Sequence, residues 1–539
     1  MPKMVHRRVL LGSGLSFAVL GALGGCKGRD PDAPAAKQGK AISIAVAIEN
    51  DIQTLDPTNL SDPHTSRIVW QLYEGLVGLN EDGSLRPVLA ESWTHSDDFK
   101  RWSFKIRDGV NFHRSGTTSG SRTLTAADVV FSYQRFAKGF GSFVFSGLVA
   151  GFDDFVNAKS TAVSGFTAAD PRSFVIDLLR PDPSFLYRIS SPYLGVMQRE
   201  VVEAAGDAFG VSVAAGTGPF RLISRTSNEV VLARNDAYWG SRAGNIDQVV
   251  FRVEKSAQLR MSQAEAGTYD IAQVPSTHAS RYFEGATLRP EFAAKMEAYL
   301  AKTYNVHYLG IDNRQLGDVH LRKAIAQSVD KSAIARSVLR GMADPASGPF
   351  PPYMLAIGNA EALPFDLQAS KRELAMSGKR PKNLSLLATA GGSDELVAQL
   401  VQSNLRAIGI DVSIELTDFN SLISRVFGAK RPPLFLLHSE WIFGAPELLL
   451  DVFDSRKYPN PNMFAYSSPS VDAEISSAQA LYERAAINSR TLKITARANA
   501  DAPAVWLYHE FTPYLLTRRV KGFSVNQHQH WKLANVTVT

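Results

Sequence analysis

Residues 70–135 constrain the fold more tightly than any other stretch. They read WQLYEGLVGLNEDGSLRPVLAESW, then THSDDFKRWSFKIRDGVNFH, a polar insert, and LTAADVVFSYQR. Apolar side chains recur at helical spacing from Ile68 and stop at Gly75; a short extended run to Leu79 is then broken at Asp82-Gly83. Trp102, Phe104 and Ile106 alternate with Ser103 and Lys105, as in a strand with one buried face, and Asp108-Gly109 turns the chain. Thr125 sits three residues before Asp128, the spacing of a capping box, and opens a helix with Val129, Val130 and Tyr133 on one side. Helix, strand and capped helix follow one another closely, as in an α/β protein with mixed sheets flanked by helices.

The rest of the chain extends that pattern. Residues 42–48 alternate as a strand and end at Glu49-Asn50-Asp51. Strands are expected at 174–178, 221–223, 230–233, 246–253 and 304–313, and helices at 319–329 and from Asp330 towards Gly341. Residues 383–390 form a strand and 394–407 a helix with Val397, Leu400, Val401 and Leu405 on one face; 410–416 form another strand. Such a unit is a right-handed crossover by default and argues for a mostly parallel sheet. At 539 residues one core would be unusually large, so two or more domains are expected.

LYEGLV, P-x-LAESW, the tryptophan-led strand ending RDGVNFH, and LTAADVVFSYQR resemble, in order, the opening of the bacterial extracellular solute-binding proteins of family 5. These are peptide, nickel and opine receptors of ABC importers. Leu55-Asp56-Pro57, GTGPF at 216–220, the NDAYWG run at 235–240 and LRKAIAQSVDKSAI at 321–334 resemble the family at later positions. The chain departs from it at the insert 114–122 (RSGTTSGSR), where the family has a short turn. The resemblance implies a two-lobed periplasmic-binding-protein fold of type II with an extra small subdomain. Lobe I would comprise 41–313 and 503–539, with the subdomain at about 81–215, and lobe II 314–502. It implies a monomeric receptor, not an enzyme, that closes over a peptide-like solute and presents it to an ABC permease and ATPase. No cofactor is implied.

The N-terminus reads as an address. His6-Arg7-Arg8 precedes an uncharged, glycine-containing run too short to span a bilayer, so 1–25 reads as a signal peptide. Leu23-Gly24-Gly25-Cys26 resembles a lipobox, and Cys26 is the only cysteine, which excludes disulfides. A polar tether, 26–40, would follow, leaving the protein lipid-anchored in the periplasm or at the cell surface. The paired arginines suggest Tat export; Sec remains equally open. Removing Lys3, Arg7 and Arg8 takes the net charge from +6 to about +3, scattered along the chain, which is no nucleic-acid footprint.

Candidate solute contacts follow from both kinds of reading. Glu49 and Asn50 sit at a strand's carboxyl end, where open α/β sheets bind ligands, or else cap the next turn. Phe143 and Phe145 lie in an aromatic stretch that serves either the core or, as the resemblance implies, the ligand. An apolar strand ends at His438, Ser439, Glu440 and Trp441, where an indole can line a cleft; Tyr466 either binds ligand or completes the core. In the family's peptide receptors, the third residue after this tryptophan is an aspartate that holds the solute's α-amino group. Here it is Gly444. A buried ammonium left unpaired costs about 3–5 kcal/mol. Unless Glu440 or Glu447 substitutes, the solute is then an opine, a sugar conjugate or a metal chelate. GTGPF lacks the Lys-Ser/Thr of a phosphate loop, and Pro219 removes a donor amide. His528 and His530, two apart on a possible strand, lack a third metal ligand nearby and read as a surface pair. No HExxH, CxxC or Gly-x-Ser-x-Gly occurs, so a membrane-tethered hydrolase is a remote alternative.

Overall fold

The strand Ala504–Thr517 pairs with different partners at its two ends. Its first residues lie antiparallel to Asn305–Ile311 and then to Ala343–Pro345; its last residues lie antiparallel to Met296–Lys302 and Ile271–Gln273. It therefore joins two sheet halves into one twelve-stranded sheet. On one side the order continues from Asn305–Ile311 through Leu434–Glu440 and Leu384–Thr389 to Val412–Thr417. On the other it runs from Ile271–Gln273 through Ser43–Ile48, Gln248–Val253 and Glu229–Arg234 to Phe220–Arg225. The computed structural model describes residues 41–60, 63–114, 122–191, 193–379, 381 and 384–539. The expected signal peptide, Cys26 and tether, and positions 115–121 of the insert, lie outside the described residues.

Leu384–Thr389 runs parallel to both Val412–Thr417 and Leu434–Glu440, with the helix Gly392–Arg406 between the first two in sequence. Both faces of this half are covered. Leu386 packs with Val397, Val401 and Leu405 on one face, while its neighbour Leu387 packs with Leu422, Val426 and Phe435 on the other. That two-sided burial explains the nearly continuous apolar run in the strand. In the other half, Ser43–Ile48 is parallel to Gln248–Val253, while the Glu229–Arg234 and Phe220–Arg225 strands are antiparallel, so the sheet is mixed.

A separate four-stranded antiparallel sheet holds Ala90–His95, Arg101–Ile106, Ser173–Asp177 and Phe166–Asp170, in that order. Trp102, Phe104 and Ile106 are buried and Arg101 and Lys105 exposed, as the alternation requires. The helix Ala126–Phe136 lies against this sheet; at its start the Asp128 carboxylate accepts from the Thr125 amide and hydroxyl, both at 2.9 Å. The expected helix towards Gly341 is shorter and less regular: Lys331–Ala333 gives way to a π-turn at Ile334–Val338.

The glycines of GTGPF serve backbone packing. A Cβ on Gly216 would lie 2.1 Å from the Leu72 carbonyl oxygen, and one on Gly218 2.5 Å from that of Gln71. The Gly218 amide is spent on the Leu72 carbonyl at 2.9 Å, which closes the end of the helix Pro63–Leu72 against the sheet. Overpacking of this kind costs about 1–3 kcal/mol. Gly216→Ala is therefore expected to lower the midpoint of urea unfolding by that equivalent at unchanged slope; an unchanged midpoint would show that the helix end can retreat.

Candidate functional site

Where the sheet halves meet, a cavity of about 540 Å³ opens. Its polar lining includes Gln273, His307, Arg340, His438, Glu440 and Glu510. Register explains how residues so far apart in sequence converge. His307 lies opposite His438 and Tyr508, and Asn305 opposite Glu440, so these side chains share one face at the strand ends. The His307 ring stacks on His438 at 5.0 Å and on Tyr508 at 4.4 Å, with its Nε2 3.2 Å from Glu510. Asn305 fastens the junction: its Oδ1 accepts from the Glu510 amide and its Nδ2 donates to the Glu510 carbonyl, both at 2.8 Å.

Beside the cavity lies a cluster of buried charges. Arg67, only 1 % exposed, donates to Gln273 at 2.8 Å and to Gln529 at 3.2 Å, and lies 3.5 Å from Glu49. Its guanidinium stands over the Trp531 ring at 5.1 Å. Burial alone would raise the pKa of Glu49, but His64, 2.9 Å away, and the Arg67 charge bring it down to about 2, so the carboxylate stays ionised. Gln529 also donates to Glu440. Glu440 remains open to solvent at the cavity wall, yet the surrounding protein raises its pKa, with Arg67 opposing the rise. Two carboxylates thus face one buried guanidinium.

The sequence-predicted residues divide. Glu49, His438 and Glu440 are brought to this region, and Asn50 is exposed beside Glu49. Phe143 is 43 % exposed, edge-on to Phe443 at 6.2 Å. Phe145 is instead fully buried among Tyr133, Phe152 and Phe166, so it is a core residue. Tyr466 likewise belongs to the core: it is 3 % exposed and donates to Asp501 at 2.8 Å. The Trp441 indole lines neither this cavity nor the one of about 570 Å³ beside His528 and His530; its N–H donates to the Pro349 carbonyl at 2.5 Å. Gly444 is packed so closely that a Cβ would lie 2.7 Å from Leu79. Glu447 is fully buried and committed to Ser184 at 2.5 Å and Arg484 at 2.8 Å.

His528 and His530 are not on a strand, and both are half-buried. Gln529 between them has φ 62°, a left-handed kink incompatible with extended pairing. Their rings meet Tyr304 and Trp70 edge-on at 5.3 and 4.9 Å, and both line a second cavity, of about 570 Å³. Among the described residues no group of three metal-ligating side chains converges.

Sequence reasoning missed Arg67, Gln273, His307, Arg340, Glu510 and Gln529. Two of these left a signal. Glu510 is the one acid in the strand Ala504–Thr517, and His307 is an imidazole within the strand Asn305–Ile311. Charge inside such a run marks a strand end that opens onto solvent or a ligand.

The description "Bacterial extracellular solute-binding proteins, family 5 Middle" matches residues 84–454. Di/tripeptide-binding protein 2 of Pseudomonas aeruginosa (strain UCBPP-PA14) is 28% identical over 424 residues, covering 73% of this chain and 75% of its own. The glutathione-binding protein GsiB of Escherichia coli (strain K12) is 24% identical over 546 residues, covering 98% and 97%. Among solved structures, the unliganded open form of MppA, a periplasmic murein tripeptide binding protein, superposes with a TM-score of 0.78 at 20% identity, covering 93% of this chain and 98% of that one. The dipeptide binding protein from Pseudoalteromonas sp. SM9913 in complex with Met-Leu gives 0.73 at 20% identity, covering 92% and 100%. The fold is that of these binding proteins.

Buried imidazoles give the fold a pH signature. Burial lowers the pKa values of His113, His438, His509 and His528 to about 4 and that of His530 to about 3. The unfolded chain binds protons on these rings below about pH 6.5, whereas the folded chain does not until about pH 4. Acidification through that window therefore favours unfolding. His113 and His509, each 1 % exposed, are expected to contribute about 1–3 kcal/mol apiece to the loss. Urea midpoints measured from pH 7 down to pH 4.5 should fall steadily; a flat profile would mean that the rings titrate normally in the fold.

Proposed function

Because the chain belongs to family 5 of the bacterial extracellular solute-binding proteins, we propose that it captures a short peptide-like solute between two lobes and delivers it to the permease of an ABC importer. The lobes are the two sheet halves, and the chain crosses between them at Thr303-Tyr304 and again at His509–Phe511. A solute seated in the cavity touches both, and closure is the shift of population that its contacts with both halves produce.

Glu440 carries this reading. Residue 444 has no room for an acidic side chain, and Glu447 is neutralised internally by Arg484. Glu440 alone of the three positions presents a carboxylate to the cavity. Glu49 stays ionised nearby, and an ammonium group seated in the cavity meets the Glu440 carboxylate at its wall. The volume suits a small ligand, since such pockets run to about 300–1,000 Å³. The names of the relatives, di/tripeptide-binding and glutathione-binding, describe solutes that carry an amine and a carboxylate, which supports a peptide over a metal chelate or sugar conjugate.

Two experiments test the reading. Native mass spectrometry and calorimetry of the full chain with short alanine peptides should give binding in which N-acetylation of the peptide costs about tenfold or more. Glu440→Gln should impose a similar loss on the free amine and little on the acetylated peptide; equal affinities throughout would reject Glu440 as the amine's partner. Membrane attachment proceeds through a lipid on Cys26 after removal of residues 1–25. Cys26→Ser should release the protein from membranes and abolish palmitate labelling; unchanged membrane association would overturn the anchor.

A further inference from the structure

The second cavity, of about 570 Å³, shares no lining residue with the first. The loop 526–531 stands between them. Gln529 at its apex bonds Arg67 and Glu440 beside the first cavity, while His528 and His530 on either side of it line the second. Asn526 holds the turn: its Oδ1 accepts from the His528 and His530 amides at 3.0 and 2.8 Å, and its own amide donates to the His530 carbonyl at 2.9 Å. The two spaces can therefore be filled independently.

Charge around the second cavity is unevenly committed. Two acids line it, and both are engaged: Glu81 pairs with Lys532 at 2.9 Å, and Glu74 accepts from Trp239, Tyr238 and Thr217 at 2.7, 2.8 and 2.9 Å. Arg86 also lines it, and among the described residues it makes one hydrogen bond, from Nε to the Leu79 carbonyl at 3.3 Å, and no ion pair. The strands Val77–Leu79 and Leu85–Pro87 place Gly78 opposite Arg86, and a Cβ on Gly78 would lie 3.3 Å from Arg86 Nε. Lacking a side chain there, the hairpin lets the guanidinium lie across it. The outer edge of that planar fork is left for a ligand, whereas no lining carboxylate is. Trp70, Val88, Tyr238 and Ala534 add apolar surface to the same cavity.

We propose that this cavity is a second binding site, separate from the solute cavity, for a small monocarboxylate with an apolar body: Arg86 takes its two oxygens and the body lies against Trp70 and Val88. A planar guanidinium accepts both oxygens of a carboxylate at once, so one free fork suits one carboxylate. A second negative charge on the ligand finds no second free cation, and an ammonium finds no free acid, so neither a dianion nor a zwitterionic peptide fits as well. The volume lies within the range of small-molecule pockets, about 300–1,000 Å³, in which apolar walls carry a few placed polar groups.

The test uses calorimetry of the full chain with benzoate, hexanoate, benzamide, benzylamine and inorganic phosphate as probes. Benzoate or hexanoate should bind about tenfold or more tighter than benzamide, and benzylamine and phosphate more weakly than either acid. Arg86→Gln should bring the acids down to the level of the amide. Because Arg86 is exposed and lies outside the solute cavity, the variant should keep its unfolding midpoint and its affinity for alanine peptides. A saturating alanine peptide should leave benzoate binding in place. Acids that bind no better than benzamide, a preference that survives Arg86→Gln, or displacement of benzoate by the peptide would overturn the second site. Phosphate binding tighter than either acid would overturn the ligand class.

Discussion

A single backbone ladder holds the two halves of the molecule in register. Along Ala504–Thr517 the amides and carbonyls are shared out between two sets of partners, with the exchange at Tyr508–Phe511. Because side chains alternate along a strand, a slip of one residue would turn Glu510 away from the cavity and Phe511 towards the position it leaves. Asn305 guards against that slip by bonding both the amide and the carbonyl of Glu510. The cavity's geometry is thus fixed by main-chain pairing, and its chemistry follows from which residues that pairing turns inward.

The buried charges make sense only against this frame. A guanidinium as enclosed as that of Arg67 is costly, and removing one partner of such a cluster costs about 3–5 kcal/mol. Its bonds run to three distant segments: Glu49 at the end of the first strand, Gln273, and Gln529 in the C-terminal loop. Gln529 in turn reaches Glu440 on the opposite half. The arginine therefore organises one wall of the site, and the chain of polar contacts it anchors crosses to the other wall.

How much of this was legible in the sequence depended on whether the signal was local. The strand 101–106, the capped helix at Ala126 and the parallel pair around Gly392–Arg406 follow from periodicity and capping, which act over a few residues. The role of the GTGPF glycines was half legible: Pro219 argued against an anion loop, but only the fold reveals Leu72 and Gln71 pressed against them. The site was least legible. Phe145 and Tyr466 have the composition of ligand contacts, yet burial among other aromatics decides otherwise. Arg67 and Gln529 lie 462 positions apart and meet only through the closure of the sheet, which no local pattern encodes.

The contacts across the cleft also bear on how a solute could work the hinge. The loop following Glu440 already rests on the other half: Phe443 meets Phe143 and Arg188, Gly444 lies against Leu79, and Glu447 accepts from Ser184. None of these involves the cavity itself, so they stabilise the approach of the halves whether or not the site is filled. A solute can shift the balance only through contacts made better in one arrangement than in the other. Glu440 and Arg340 are carried by the half that holds Leu309 and Ile334 in its core, while Gln273 and the helix Ser276–Tyr282 belong to the other. The polar side chains that the two halves bring to the cavity, His438 and Glu440 on one and Gln273 on the other, are placed where such contacts can form.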